Sequence, residues 1–357
     1  KEHKEKGIEC IDRGQSIEEN LDLWKKMLDG TLKEGEAVLR VKTDMHHKDP
    51  AIRDWPAFRI VTAPHPLVGD KYRVWPLLDF ESAVEDHLLG TTHIIRGKDL
   101  TDSGSRQRYL YSYLGWEYPR VIHWGRVKIH QFGSFSTSKL RKAIEEGIYT
   151  GWDDPRVPTV RAMRCRGIRP EALRKFMIDL GVGETDISLS MDSIYAENRK
   201  LVDPEANRRF FVWEPVALEI EGDVPPLARA PLHPTDDRGF REIPAGNKLF
   251  ICRSDLEGSK VGDVIRLKDL CNVQITSLEP AKASFLGKDM GKRIKIIHWA
   301  PADGVKVRVL KPDGVDEGLG EAGIADELGK VVQFERYGFV RVNKIGEPPI
   351  LAYFAHR

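Results

Sequence analysis

Ser136-Thr137-Ser138-Lys139 places three hydroxyls and one ammonium in a row, immediately before a segment with helical spacing. That grouping suits reaction at a phosphate. Negative charge that builds on departing phosphates is met by a mobile Lys139, with Ser138 as a hydroxyl donor beside backbone N–H groups. Gly133 would let the loop open and close. The same residues could instead form an exposed Ser/Thr turn capping the helix that contains Ala143 and Ile144. A second cation, Arg96, ends the short apolar run Thr92–Ile95. An arginine at the C-terminal end of a strand in an α/β sheet faces the ligand crevice and matches a carboxylate in two-pronged fashion. The alternative there is an ion pair with a nearby acid. Phosphate loops of other kinds are absent: Gly287-Lys288 and Gly291-Lys292 lack the following hydroxyl, and no G-x-G-x-x-G follows a strand. His46-His47, read as part of a strand, point to opposite faces with no third ligand at metal spacing, so no metal site is expected.

About one helix beyond Lys139 stands Gly151-Trp152-Asp153-Asp154-Pro155-Arg156, followed by Pro158-Thr159. In this order, the first segment resembles the KMSKS-type loop of class I aminoacyl-tRNA synthetases. The second resembles the GWDDPR-x-PT segment of their glutaminyl and archaeal-type glutamyl branch. Asp79-Phe80, Glu85-Asp86-His87-Leu88 and Thr92-His93-Ile94-Ile95-Arg96 are similar to a segment shared by the glutamyl enzymes. The resemblance implies that Arg96 holds a carboxylate of glutamate. The glutaminyl branch lacks this arginine and carries Tyr before Asp-Phe, where Leu78 stands here. It further implies an ATP site of Arg126, Val127, Thr137, Ser138 and Lys139, with Lys139 and Ser138 catalytic and ATP entering with Mg2+. A strand end with a solvated arginine is the plainer reading of Arg126.

The resemblance covers nearly the whole chain. His233-Pro234, Gly239-Phe240-Arg241, Cys252–Leu256, Gly262–Leu267, Ile297-His298-Trp299 and Val332–Arg336 stand in the order of the family's tandem anticodon-binding barrels. By position Arg241, Gln333 and Arg336 are the expected anticodon contacts, since Arg and Gln can read the edge of an unpaired base. Without the resemblance they are strand-surface groups. Ile52-Arg53-Asp54 beside Trp55-Pro56 resembles the inserted acceptor-stem-binding domain. The implied partners are glutamate, ATP and tRNA-Glu, with tRNA-Gln left open, in a monomer. The family's other signature, H-x-G-H, is not among these residues. Lys1–Cys10 reads as the polar end of a helix already under way, so further sequence upstream is expected.

The elements that must position these groups follow from patterning. The 56 Lys+Arg and 55 Asp+Glu nearly cancel, so any tRNA surface is a local concentration of cations. Hydrophobic content of 41% and charged content of 31% suit a globular chain with ordinary cores. No apolar run reaches a membrane span, because Glu214 and Pro215 break Phe210–Ile220. Cys10, Cys165, Cys252 and Cys271 are scattered, which points to a reducing cytoplasm.

Ser16 and Glu19 stand at capping-box spacing before a helix over 16–29. Strands are expected at Ala37–Met45, Phe58–Ala63, Arg73–Leu78, Thr92–Ile95 and Val121–Ile129, and helices at Glu81–Leu89 and Ser105–Leu114. Pro170 and Gly181 bound a helix whose Leu173, Phe176, Met177 and Leu180 form a core stripe. Val305, Val307 and Val309 alternate with charges, as do Ile294 and Ile296 with Arg293 and Lys295, the mark of an all-β module. The fold expected is α/β plus all-β. The acceptor-stem-binding insertion occupies 1–60 and the second half of a Rossmann-like catalytic domain 61–132. The KMSKS-type loop and a helical stem-contact subdomain follow over 133–203, then tandem β-barrels over 204–357.

Overall fold

Ser16 Oγ accepts from Glu19 N at 3.2 Å and Glu19 Oε2 accepts from Ser16 N at 2.7 Å, closing the expected capping box. The helix it starts runs Ile17–Asp29 and stops at Gly30, whose φ of +93° a side chain would resist. The computed structural model describes residues 2–132, 136–289 and 294–357. Gly133, the expected hinge, and Arg293 lie outside the described residues. No helix among those described is long and apolar enough to cross a membrane. The chain forms two compact units, Lys1–Val127 with Val182–Ile187, and Lys128–Gly181 with Ser188–Arg357.

In the first unit, Val38–Arg40, Pro56–Ile60 and Val74–Pro76 form an antiparallel sheet, the last strand returning beside the second. The strand expected over Ala37–Met45 shrinks to three residues. Asp44 Oδ1 accepts from His46 N at 2.8 Å and starts a turn, so His46 is in a turn and not on a strand. His93–Gly97, the helix Thr101–Leu114 and Arg120–Trp124 make the parallel βαβ unit that alternation predicts. The single strand expected over Val121–Ile129 is split after Trp124. At the break Gly125 N donates to the Gly183 carbonyl at 2.8 Å, and a Cβ on Gly125 would stand 2.2 Å from Thr185 O. Trp55, Ala57, Ala83, Leu110 and Tyr111 form the core of this unit.

Before its large sheets the second unit carries, among the described residues, the α-helices Thr137–Glu145, Val160–Arg166, Pro170–Leu180 and Asp192–Val202. Pro170 and Gly181 bound theirs as expected, but the stripe between them is only partly core. Leu173 and Phe176 pack inward with buried Ala172, while Met177 is exposed. Two seven-stranded mixed sheets follow. In the first, the edge strands are Lys295–Ile297 and Ala300–Pro301, separated in sequence only by His298 and Trp299. In the second they are Arg208–Arg209 and Phe211–Trp213, separated only by Phe210. Edge strands that are neighbours in the chain force each sheet to curl toward itself, giving two barrel-like cores. Val307 and Val309 point inward between exposed Lys306 and Arg308, as their alternation requires. The Ile294/Ile296 phase is corrected: Ile296 is 49% exposed and Ile297 is buried beside Trp299.

Candidate functional site

Ser136 sits in extended backbone and its Oγ accepts from Lys139 N at 3.3 Å, so Thr137, Ser138 and Lys139 form the first turn of a helix rather than a free loop. All three are exposed, and Lys139 has no ion pair among the described residues. An unneutralised ammonium beside the N–H groups of a helix start can meet phosphate oxygens.

The helix is held by its one buried residue, Leu140, which packs with Val157, Ala162, Ile144, Tyr149 and Trp152. Four of those contacts come from the turn after it or the helix that follows. That turn is organised by buried Asp154. Its carboxylate accepts from Arg156 Nη2 at 2.6 Å, Arg156 Nε at 2.8 Å, and the backbone N–H groups of Thr150 and Arg156, each at 3.0 Å. Burial alone would raise its pKa; the Arg156 bonds and the two N–H donors outweigh it and hold the carboxyl at about 2. Thr159 caps the next helix by accepting from Ala162 N at 3.0 Å. The GWDDPR-x-PT residues therefore act on Lys139 through Leu140, by fixing the helix that carries it.

In the first unit Arg96 leaves the end of the His93–Gly97 strand. Its Nη1 donates to Gln107 Oε1 at 3.1 Å, while Asp86 Oδ2 lies 3.9 Å from Nη2. The guanidinium is aimed by a neutral group and only loosely matched by charge. Gln107 is fully buried and is itself fixed: Tyr118 donates to its Oε1 at 2.7 Å, and its Nε2 donates to Ser82 Oγ at 2.8 Å. Sequence reasoning missed Gln107, although it lies on a helix already expected there. Arg126 and Val127 are both exposed. Arg126 N donates to Asp186 Oδ1 at 2.8 Å, and its carbonyl accepts from Ile187 N at 2.8 Å.

The three expected anticodon contacts are placed very differently. Arg241 is buried, and its guanidinium donates to Glu321 at 3.1 Å, Glu335 at 3.1 Å and the Pro231 carbonyl. As placed, it organises the two carboxylates rather than presenting a free edge. Gln333 is half-buried and lines a cavity of about 300 Å3 with Arg199, Asp203, Arg208, Lys268 and Glu335. Arg336 is exposed at a hairpin tip with φ +64°. Its Nη2 and Nη1 donate to the two oxygens of Asp255 at 2.6 and 2.9 Å, and Nη1 also donates to His298 Nδ1 at 3.3 Å. His298 Nε2 donates to the Phe211 carbonyl at 2.6 Å, which fixes the tautomer.

Cys252 Sγ lies 3.6 Å from the same ring, but the pair is not a nucleophile and base. Burial pushes the thiol up to about 12 and, with Arg336 nearby, holds the imidazole down to about 4. His233 is also structural: Nε2 donates to Asp203 O at 3.1 Å and Nδ1 accepts from Asp236 N at 3.1 Å.

The exposed Lys139 at a helix start, the strand-end Arg96 and the two β modules can each be set against known families. Residues 1–204 match the catalytic domain of class I tRNA synthetases (E and Q), and 206–286 and 296–343 match their anti-codon binding domains. The chain belongs to that family. It is 68% identical to a glutamate–tRNA ligase of Methanothrix thermoacetophila over 99% of this chain and 63% of that protein. It is 60% identical to one from Methanosarcina barkeri, over all of this chain and 64% of that protein. For one from Pyrococcus abyssi the identity is 48%, over all of this chain and 64% of that protein. The chain thus spans a little under two thirds of the length of the curated relatives it matches.

Proposed function

We propose that this chain works within an ATP-dependent glutamate–tRNA ligase. The observation that carries the reading is Lys139, exposed in the first turn of a buttressed helix with no carboxylate to neutralise it among the described residues. A glutamate carboxylate oxygen attacks the α-phosphorus of ATP, supplied as its Mg2+ complex. The bond to the bridging oxygen breaks and pyrophosphate leaves, giving glutamyl-adenylate. Lys139 meets the charge that accumulates on the departing phosphates, with Ser138 and Thr137 donating beside it and Arg126 and Val127 lining the nucleotide. A hydroxyl of the terminal tRNA ribose then attacks the acyl carbon and AMP leaves. The work is positioning and charge stabilisation, with no bond to the protein.

Arg96 supports glutamate over glutamine as substrate. Among the described residues its nearest carboxylate is 3.9 Å away, so a substrate carboxylate can approach closer than Asp86 does. The proposed division of labour keeps 1–60 for the acceptor end, 61–132 for the amino acid and nucleotide, 133–203 for the Lys139 helix and stem contacts, and 204–357 for the anticodon. There Gln333 and Arg336 would read bases, and Arg241 would contribute by holding Glu335 beside the Gln333 cleft. The protein acts as a cytoplasmic monomer on tRNA-Glu, with tRNA-Gln as a second acceptor to be tested.

The test is ATP-dependent charging of total tRNA by the full-length protein, with labelled glutamate and separately glutamine. Charging with glutamate is expected. Glutamine charging would overturn the Arg96 assignment, and tRNA binding without charging would leave only a binding module. Lys139→Ala should lower ATP–pyrophosphate exchange by roughly a hundredfold or more while sparing tRNA binding. Normal exchange in that variant would remove Lys139 from the chemistry.

A further inference from the structure

A cavity of about 360 Å3 opens where the helices Val160–Arg166 and Pro170–Leu180 meet the second barrel. It shares no lining residue with the Gln333 cleft. Contacts within the protein hold the backbone on one side of it. Gly167 has φ +89°, and a Cβ there would stand 2.5 Å from Val331 Cγ2 and 3.3 Å from Arg341 Cβ. Glycine is what lets the helix end approach the strand so closely. Behind it, fully buried Arg166 donates to the carbonyls of Phe354 and Ala355 at 2.8 and 2.7 Å. Asn198 Nδ2 donates to the Gly167 carbonyl at 3.3 Å, and its Oδ1 accepts from Arg169 N at 2.8 Å.

The lining is unbalanced in charge. Arg164, Arg169, Lys330 and Arg341 face two carboxylates, Glu205 and Glu327. Both carboxylates are already committed. Glu205 pairs with Arg169, while Glu327 takes Arg209 at 2.6 Å, Asn207 at 2.8 Å and Lys330 at 3.2 Å. Arg164 and Arg341 have no carboxylate partner among the described residues. Arg341 donates instead to Asn343 Oδ1 at 2.6 Å and to the Gly329 carbonyl at 3.2 Å.

We propose that this cavity is a phosphate-binding site, with Arg164 and Arg341 as its primary donors. Two guanidinium groups without counter-charge, on polar walls, suit the multiple oxygens of a phosphate. The group could be a backbone phosphate of bound RNA or a free polyphosphate. The RNA form rests on the tRNA-charging reading; the site itself does not.

The full-length protein would be compared with Arg164→Gln/Arg341→Gln, with circular dichroism to verify folding. Arg164→Gln alone, at an exposed position, serves if the double variant fails to fold. Affinity for a tRNA transcript is measured from about 50 to 200 mM salt, and binding of inorganic tripolyphosphate by calorimetry. For an RNA phosphate, the slope of log affinity against log salt should fall by about two in the double variant and about one in the single. Tripolyphosphate binding that the substitutions abolish, with an unchanged tRNA slope, assigns a free ligand. If neither measurement responds, the proposal is wrong. Failure of the unmodified protein to bind tRNA would defeat the tRNA-charging reading, and the tripolyphosphate arm would still decide the cavity.

Discussion

Asp154→Asn tests whether the turn after the Lys139 helix is what holds that helix. Asp154 is 2% exposed and its carboxyl is held at about 2 against an ordinary 3.8. A shift of that size, at about 1.36 kcal/mol per unit, stabilises the fold by about 2 kcal/mol at neutral pH. Exposure of the Arg156 side chain, at 42%, trims this toward about 1 kcal/mol through solvent screening. The folded pKa is depressed, so the contribution is present above 3.8 and is lost as pH falls through about 2. The amide of Asn keeps one acceptor but sets an N–H group against Arg156 or Thr150. A donor left unsatisfied there restores the loss to about 2 kcal/mol. In a chain of two compact units a single melting temperature would blur this. The suitable assay is hydrogen exchange of peptides covering 137–166. Two kcal/mol corresponds to roughly thirtyfold faster exchange wherever local opening governs the rate. ATP–pyrophosphate exchange should fall roughly tenfold, because a displaced helix misplaces Lys139. Unchanged exchange across 137–166, or a carbon-13 carboxyl titration of Asp154 with its midpoint near 3.8, would refute the reasoning.

Two further predictions concern the β modules. Among the described residues, Arg336→Ala would leave the buried Asp255 carboxylate with only the more distant Lys295 ammonium, 3.6 Å away, so Arg336→Gln is better combined with Asp255→Asn. That pair should lower kcat/KM for tRNA roughly ten- to a hundredfold and leave pyrophosphate exchange unchanged; unaltered charging would exclude Arg336 from anticodon reading. His298, held near 4 by burial and Arg336, is neutral when folded and protonates near 6.5 when unfolded. Stability should therefore be lost as pH falls from about 6.5 to about 4, by up to about 3 kcal/mol. In urea unfolding at pH 7 and pH 5, His298→Gln should flatten that limb. An equal pH dependence in the variant would show that another group governs it.

What could be read in the sequence was local. The Ser16–Glu19 box, the Pro170 and Gly181 bounds and the Val305–Val309 alternation each depend on residues within one or two turns, and each stands in the structure. The expectations that slipped did so where a distant or competing contact decides. Met177 fits the helical stripe by spacing, but the neighbouring elements cover only the Ala172 side of the helix. Ile296 fits an alternation, yet Ile297 is the residue that meets Trp299. The partners of the two candidate anticodon arginines were not legible. Asp255 is 81 residues from Arg336, and Glu335 is 94 from Arg241. No periodicity links such pairs; only closure of the sheets brings them together.

That difference in partners orders the candidate cations more firmly than their residue types do. A guanidinium can take a substrate anion only to the extent that its own protein has left it unneutralised. Arg241, bound to two carboxylates and a carbonyl, has nothing left to offer without breaking a buried pair, which costs about 3–5 kcal/mol. Arg336 is half-committed: Asp255 occupies one edge, while the rest of an exposed side chain can still meet a base. Arg96 is aimed by Gln107 without being neutralised, and Lys139 is not paired at all among the described residues. The cations assigned to anionic substrates are thus the least compensated, whereas those assigned to neutral bases are held by carboxylates that fix direction at the expense of charge. Selection among bases depends on hydrogen-bond geometry, which a rigid ion pair supplies. Neutralisation of a leaving phosphate depends on free charge, which a rigid ion pair would remove.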